Sequence, residues 1–460
     1  MGVFGLTRAM VTWHVGQVSI SAPPDHADDR LLRANPERFG VRIVDDRIFV
    51  EDVDVAAIAE VVDTPCYVYG AAFVRAQFRG LREALAARPA LICYAVKANS
   101  SQALLSLLAH EGAGADIVSG GELERALAAG FAPRVIVFSG VGKGDEEIDA
   151  AIDADIRAIH AESIEEIERI AARARARGTV ARVALRVNPD IDPDTHPYLA
   201  TGLRETKFGI AMRDALAVAE RVIAEPALRL VGLACHIGSQ IMDAAPFLAA
   251  LCRVRELISA LQERTKLEYI DLGGGLGIPY GVDEPRVDVQ TFGAELVRAL
   301  ADLDLELVLE PGRYLVGNAG VLLTRVVNGK ESGGKSFVIV DAAMNDLIRP
   351  ALYEAYHAIV PATLPSAETP RIRADVVGPV CECGDFFARD REMARPASGE
   401  LLVILSAGAY GMTMASNYNS RPLAPEVLVG DAEFAVTRPR RSVTELIAEE
   451  KLPAWLTKGD

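Results

Sequence analysis

Lys97 is the first charge after the apolar run Ile92-Cys93-Tyr94-Ala95-Val96, which reads as a short buried strand. A lysine held rigidly at the mouth of such a strand suits attack on a carbonyl, because desolvation lowers an ammonium pKa and frees the amine. The alternative is a strand-end lysine whose head reaches out to water. Other reactive residue types recur at the same kind of position, where an apolar run ends. They are Asp116, Ser139, Arg186, His236 with Ser239, the run Gly273-Gly274-Gly275, and Glu310 with Gly312 and Arg313. Three glycines after a buried strand either let backbone N–H groups approach an anion or simply make a tight turn. Glu310 suits a general base, a metal ligand, a partner for a protonated ring nitrogen, or a salt bridge. His236 suits a metal ligand, a base, a stacking plate, or a satisfied core position. The chain has seven histidines, with no HExxH and no pair at helical spacing, so a metal centre has little support. Pyridoxal phosphate would use every part: a lysine for a Schiff base, glycines for the phosphate, and an acid opposite the ring nitrogen.

The elements that must carry these residues repeat. From Ala71 onward, amphipathic helical stretches alternate with about eight short apolar runs over roughly 250 residues, the size of a (β/α)8 barrel. We therefore expect an α/β fold with a TIM barrel over 71–318. A doubly wound sheet fits less well, since no glycine-rich turn follows an early strand. In such barrels the active site lies where strands end and loops begin, which is where the reactive residues gather. After Gly320 the alternation stops. Strands expected near 336–340, 373–377, 401–405 and 426–429 are separated by loops, predicting a β domain over 319–460. Residues 39–70, with a hairpin and a strand over 65–69, are expected to join it. Residues 1–38 are mixed and irregular, carry Pro23-Pro24 and lack the features of a signal peptide, predicting a poorly ordered extension.

Composition narrows the function classes. Of 460 residues half are hydrophobic, and the formal net charge is −16 without a basic run. Nucleic acid and anionic membrane surfaces are poor partners for such a chain. No apolar run reaches the length of a membrane span. The six cysteines lack metal or disulfide-framework spacing, and most sit in apolar runs. They read as buried free thiols in a reducing cytoplasm.

Tyr94-Ala95-Val96-Lys97-Ala98-Asn99, His236-Ile237-Gly238-Ser239, Gly273-Gly274-Gly275, Glu310-Pro311-Gly312-Arg313 and Cys381-Glu382 together resemble the fold type III, alanine-racemase-like amino-acid decarboxylases. The resemblance runs from about Phe39 to Ile447. It implies that Lys97 holds pyridoxal 5'-phosphate, that His236 stacks on its ring, and that Glu310 faces the ring nitrogen. Ser239, Gly273, Gly274, Gly275, Gly312, Arg313 and Tyr410 match phosphate contacts, and Asp116 and Arg186 match residues beside the lysine. The family works as a homodimer, which implies that Cys381 and Glu382 act in the partner's site. Cys381 then returns a proton to the substrate carbon.

The substrate follows from charge. A second amino-acid head needs cationic donors as well as an acid, whereas ornithine or lysine offers only a distal ammonium. Arg313, Arg349 and Tyr353 would clamp a distal carboxylate, Glu382 would take the distal ammonium, and Tyr410 would also touch the substrate. The resemblance thus implies decarboxylation of meso-2,6-diaminopimelate to L-lysine and CO2, the last step of lysine biosynthesis. The alternatives are a decarboxylase of another basic amino acid (ornithine, arginine or lysine) and a non-catalytic homologue. The latter should have lost Lys97, Glu310 or Cys381. Two residues depart from the pattern: Ala343, where Gly is frequent, and Cys383, where Ser is common.

Overall fold

The computed structural model describes residues 28–191 and 207–457. Eight parallel strands form the centre: Ala90–Ala95, Gly114–Ile117, Ile136–Phe138, Ala158–Ala161, Ala181–Asn188, Leu228–Ala234, Tyr269–Asp271 and Glu306–Leu309. Each pairs with the next, and Glu306–Leu309 returns to Ala90–Ala95 through Leu307↔Ala90 and Val308↔Leu91, so the sheet closes into a barrel. Closure removes every free strand edge. A compact buried cluster draws one residue from each of seven strands: Cys93, Val137, Ala158, Ala184, Val231, Tyr269 and Val308. The eighth strand contributes Gly114, where a Cβ would lie 2.8 Å from Cys93 Sγ and 2.4 Å from Val135 O. Amphipathic helices cover the outside. The helix Ile164–Ala176, for example, buries Ile167, Ile170, Ala171 and Ala174 at helical spacing, and the Ser163 hydroxyl accepts from Glu166 N–H to cap it.

A second sheet flanks the barrel. Its long strand Gly320–Ser332 runs antiparallel to Cys66–Gly70, to Lys335–Val340 and to Leu401–Ile404. Cys66–Gly70 also pairs in parallel with Glu426–Gly430. The hairpin Arg42–Val44 with Arg47–Val50 belongs to a separate three-stranded sheet with Val53–Asp54, and touches the larger domain through Arg47↔Thr363.

The extension expected to be poorly ordered is folded from Asp28 onward, while residues 1–27 lie outside the described residues. Asp28–Leu32 forms a short helix whose two acids are buried. Asp28 pairs with Arg391 at 2.6 Å and Asp29 with Arg371 at 2.8 Å, so these charges find their partners more than 340 residues away. The cysteine expectation holds for half the set: Cys66, Cys93 and Cys235 are buried, whereas Cys252, Cys381 and Cys383 are exposed. Among the described residues, no helix is long and apolar enough to cross a membrane.

Candidate active site

The barrel interior changes character over one layer. Side chains two residues apart on a strand share a face. Two residues beyond Gly114, Val137, Ala158, Ala184, Tyr269 and Val308 stand Asp116, Ser139, His160, Arg186, Asp271 and Glu310. All six are buried. The apolar plug is thus capped by a layer of polar groups at the strand ends, and Lys97 rises from the 3-10 turn Val96–Ala98 beside it.

Lys97 Nζ lies 2.7 Å from Asp116 Oδ2. Burial opposes the charge on Lys97, but the neighbouring Asp116 and Glu310 outweigh it, so the amine is held above its ordinary pKa rather than below. This corrects the desolvation expectation: burial alone would free the amine, and the acids around it restore the ammonium. Asp116 Oδ1 is buried without a partner among the described residues.

Opposite stands an acid cluster. Ligand atoms of His160, Asp271 and Glu310 lie within 4.8 Å of one another. Ser139 Oγ sits 3.5 Å from Glu310 Oε1 and 3.2 Å from His160 Nδ1, and His160 Nε2 lies 3.0 Å from the Tyr269 hydroxyl. Burial, then repulsion from Asp116 and Asp271, pushes Glu310 well above the carboxylate range. Burial likewise pushes Asp271 up to about 7. Burial and the crowding of the two acids favour the protonated form at both, most strongly at Glu310.

The turn over 273–275 is built for close approach. A Cβ at Gly274 would lie 2.1 Å from Glu310 O, and Gly275 has φ +108 with a Cβ position 2.4 Å from Gly238 O. Asp271 Oδ1 accepts from Gly273 N–H at 2.7 Å, and His236 Nδ1 accepts from Gly274 N–H at 3.1 Å. Burial, then the charges of Arg186 and Lys97, keep His236 neutral, well below the usual imidazole range. Arg186 is itself neutralised by Glu162 at 2.7 Å.

A second group gathers where the barrel meets the β domain. The Arg313 guanidinium donates to Ser239 Oγ at 3.0 Å and to the Tyr280 hydroxyl, and lies 4.9 Å from the centre of the Tyr410 ring. Arg349 lies 4.4 Å from the centre of the Tyr280 ring. Both arginines are buried, 6% and 5% exposed, and among the described residues neither has a carboxylate partner. Tyr353 closes the short helix Arg349–Tyr353 and acts electrostatically on both. Tyr410, at φ +57, donates its N–H to Ala98 O at 2.7 Å and so ties this group to Lys97. Gly312 lets the turn sit against that same segment, since a Cβ there would meet Ala98 Cβ at 2.8 Å. Cys381 and Glu382 are exposed on this chain. Cys381 N–H donates to Asn419 Oδ1 at 3.0 Å, and Glu382 Oε1 accepts from Gly384 N–H at 3.2 Å.

Sequence reasoning missed His160, Asp271, Tyr280 and His357. The first two sit inside strands that read as apolar runs, and counting two residues on from the inner cluster is the signal that finds them.

The donor set fits pyridoxal phosphate: an amine beside a half-satisfied buried acid, a second buried carboxyl pushed toward its protonated form, and a glycine turn with no room for a Cβ. Residues 71–317 match the family model described as "Pyridoxal-dependent decarboxylase, pyridoxal binding domain". The chain belongs to the pyridoxal-dependent decarboxylases. Within that class its similarity is to diaminopimelate decarboxylases. That of Zymomonas mobilis is 49% identical over 412 residues, 88% of this chain and 97% of the relative. The crystal structure of diaminopimelate decarboxylase from Helicobacter pylori complexed with L-lysine aligns with TM-score 0.82 at 41% identity, covering 86% of this chain and 98% of that one. That from M. jannaschii in co-complex with L-lysine aligns with TM-score 0.86 at 36% identity, covering 90% and 98%.

Proposed function

We propose that this chain removes CO2 from the D centre of meso-2,6-diaminopimelate and leaves L-lysine, the last step of lysine biosynthesis. The observation that carries the reading is the pair of buried arginines, Arg313 and Arg349, without a carboxylate partner among the described residues. A buried cation without a counter-ion is costly, and a ligand carboxylate relieves that cost. A distal ammonium alone would not.

When bound, pyridoxal phosphate supplies a sink for the electron pair that departing CO2 leaves behind. Lys97 would hold the cofactor covalently, with Asp116 and Arg186 beside it. Ser239, Gly273, Gly274, Gly275, Tyr410 and the backbone of Gly312 and Arg313 would hold its phosphate. His236 would cover a face of its ring, and Glu310 would hold a proton toward the ring nitrogen. Arg313, Arg349 and Tyr353 hold the distal carboxylate, and Glu382 takes the distal ammonium. Cys381 gives a proton to the reacting carbon. The resemblance implies that Cys381 and Glu382 serve the partner's site in a cytoplasmic homodimer, and their exposure in one chain agrees with that reading.

The test is a visible absorption spectrum of the purified protein, followed by CO2 release from meso-diaminopimelate beside lysine, ornithine and arginine. Bound cofactor and CO2 from diaminopimelate alone support the reading. Turnover of ornithine instead would keep the cofactor and overturn the carboxylate clamp.

A further inference from the structure

Arg349 does not point freely. Among the described residues, its guanidinium makes one hydrogen bond, from Nη1 to His357 Nε2 at 2.8 Å. His357 is fully buried, and its other nitrogen, Nδ1, lies 2.8 Å from Leu405 O. A carbonyl only accepts, so Nδ1 carries the hydrogen. The neutral ring then offers a lone pair at Nε2, which is what a guanidinium N–H needs. Burial, then the charge of Arg349 itself, holds His357 far below the ordinary imidazole range and keeps that lone pair free.

The anchor is rigid. Leu405 directly follows the strand Leu401–Ile404, and its own N–H donates to Ala358 O at 2.9 Å. Ile359–Pro361, two residues beyond His357, pairs antiparallel with that strand, so the chain that follows His357 and the carbonyl it bonds belong to one sheet. Tyr280 packs edge-on against the imidazole, with ring centres 5.3 Å apart at 78°. The same tyrosine ring faces Arg349 and its hydroxyl accepts from Arg313. The β sheet thus reaches the two guanidiniums through one histidine and one tyrosine.

We infer that His357 is a positioning residue that aims the Arg349 guanidinium and so sets how tightly the site holds a carboxylate. The inference rests on the clamp proposed above. It separates His357 from an ordinary core histidine, because the acceptor at Nε2, and not the bulk of the ring, is what matters.

The chemistry of the product supplies the probe. L-lysine keeps the carboxylate that the clamp would hold, whereas 1,5-diaminopentane has the same two amines and no carboxylate. The cofactor-loaded full-length protein is titrated with each by calorimetry, and KM and kcat are measured with meso-diaminopimelate. His357→Gln keeps an acceptor near the Nε2 position. His357→Asn keeps a donor for Leu405 O but no acceptor there, and His357→Phe keeps neither. The wild type should prefer L-lysine. His357→Phe and His357→Asn should lose about tenfold of that preference, the size of one hydrogen bond to a charged group. KM should rise by about the same factor while kcat stays within about twofold. His357→Gln should recover most of both.

If His357→Phe does not fold, His357→Asn carries the comparison with His357→Gln. Full preference for L-lysine in His357→Asn would overturn the inference and leave the clamp standing. Equal losses in His357→Gln and His357→Asn would also overturn it, by showing a role in packing alone. A wild type that binds both ligands alike would overturn the clamp itself, and the inference with it.

Discussion

Lys97 Nζ and Asp116 Oδ2 lie 2.7 Å apart at the end of the barrel. The pair keeps the amine charged, above its ordinary pKa. A lysine whose folded pKa is raised adds stability below the unfolded value and loses it as pH climbs through the folded one. Attack on an aldehyde needs the neutral amine. Asp116→Asn should therefore shift the pH dependence of cofactor uptake, followed by visible absorption in cofactor-free protein, to lower pH. An unmoved midpoint would show that Asp116 is not what holds the charge.

Asp271 and Glu310 crowd each other in the same buried layer, and both are pushed toward the protonated form. The Asp271 carboxyl rises from 3.8 to about 7. Between those values the unfolded chain has released a proton that the folded chain keeps, so this group's contribution to stability falls as pH rises. Thermal melts of cofactor-free wild type against Asp271→Asn should show the difference shrinking, or reversing against the wild type, from about pH 4 to about pH 7. A difference independent of pH would place the proton elsewhere.

The guanidiniums of Arg313 and Arg349 make a trade between binding and stability. Arg349→Met should raise KM for diaminopimelate by about 100-fold, since one arm of a buried charge-assisted contact is lost. Removing a buried cation that has no carboxylate partner among the described residues offsets the loss of its bond to His357, so the melting temperature of the ligand-free protein should change little. A variant that loses stability but keeps its KM would make Arg349 structural.

Exposure of Cys381 and Glu382 leads to a mixing experiment. Lys97→Ala and Cys381→Ala should each be inactive as pure proteins. Co-refolded in equal amounts, they should recover about a quarter of wild-type activity, because half the dimers are mixed and one of their two sites is intact. No recovery would mean that Cys381 serves its own chain.

The helix Asp28–Leu32 is held to the β domain by its two buried acids, on Arg391 and Arg371. Asp28→Ala leaves Arg391 buried without its partner, and should cost about 3–5 kcal/mol in urea unfolding. A loss below about 1 kcal/mol would mean that this helix is docked only loosely.

The alternation of helix and strand was readable in the chain because each unit is local, and the strand-end positions of Lys97, His236 and Glu310 followed from it. What escaped was arranged across the barrel or between distant segments. His160 and Asp271 matter because they crowd Glu310, a relation between strands that no single run of sequence displays. The long strand Gly320–Ser332 is not among the strands the sequence suggests, and its second half is exposed and polar. Asp28 and Asp29 looked like part of a solvated tail, since Arg371 and Arg391 lie so far along the chain. The amine of Lys97 went the opposite way from expectation because its pKa depends on a sum over neighbours, and the sequence around it shows only the strand.

The strand Cys66–Gly70 is made before the barrel, yet its two neighbours, Gly320–Leu323 and Glu426–Gly430, are made after it. During synthesis it must wait, unpaired, while roughly 250 residues emerge, a loop whose closure entropy grows only slowly with length. The pyridoxal-binding stretch 71–317 begins one residue beyond it. A gene cut at that boundary would strip the flanking sheet of an inner strand and leave open backbone edges on both sides, an invitation to association between copies. The barrel is an insertion threaded through its neighbouring domain, and the two must be expressed, engineered and inherited as one unbroken chain.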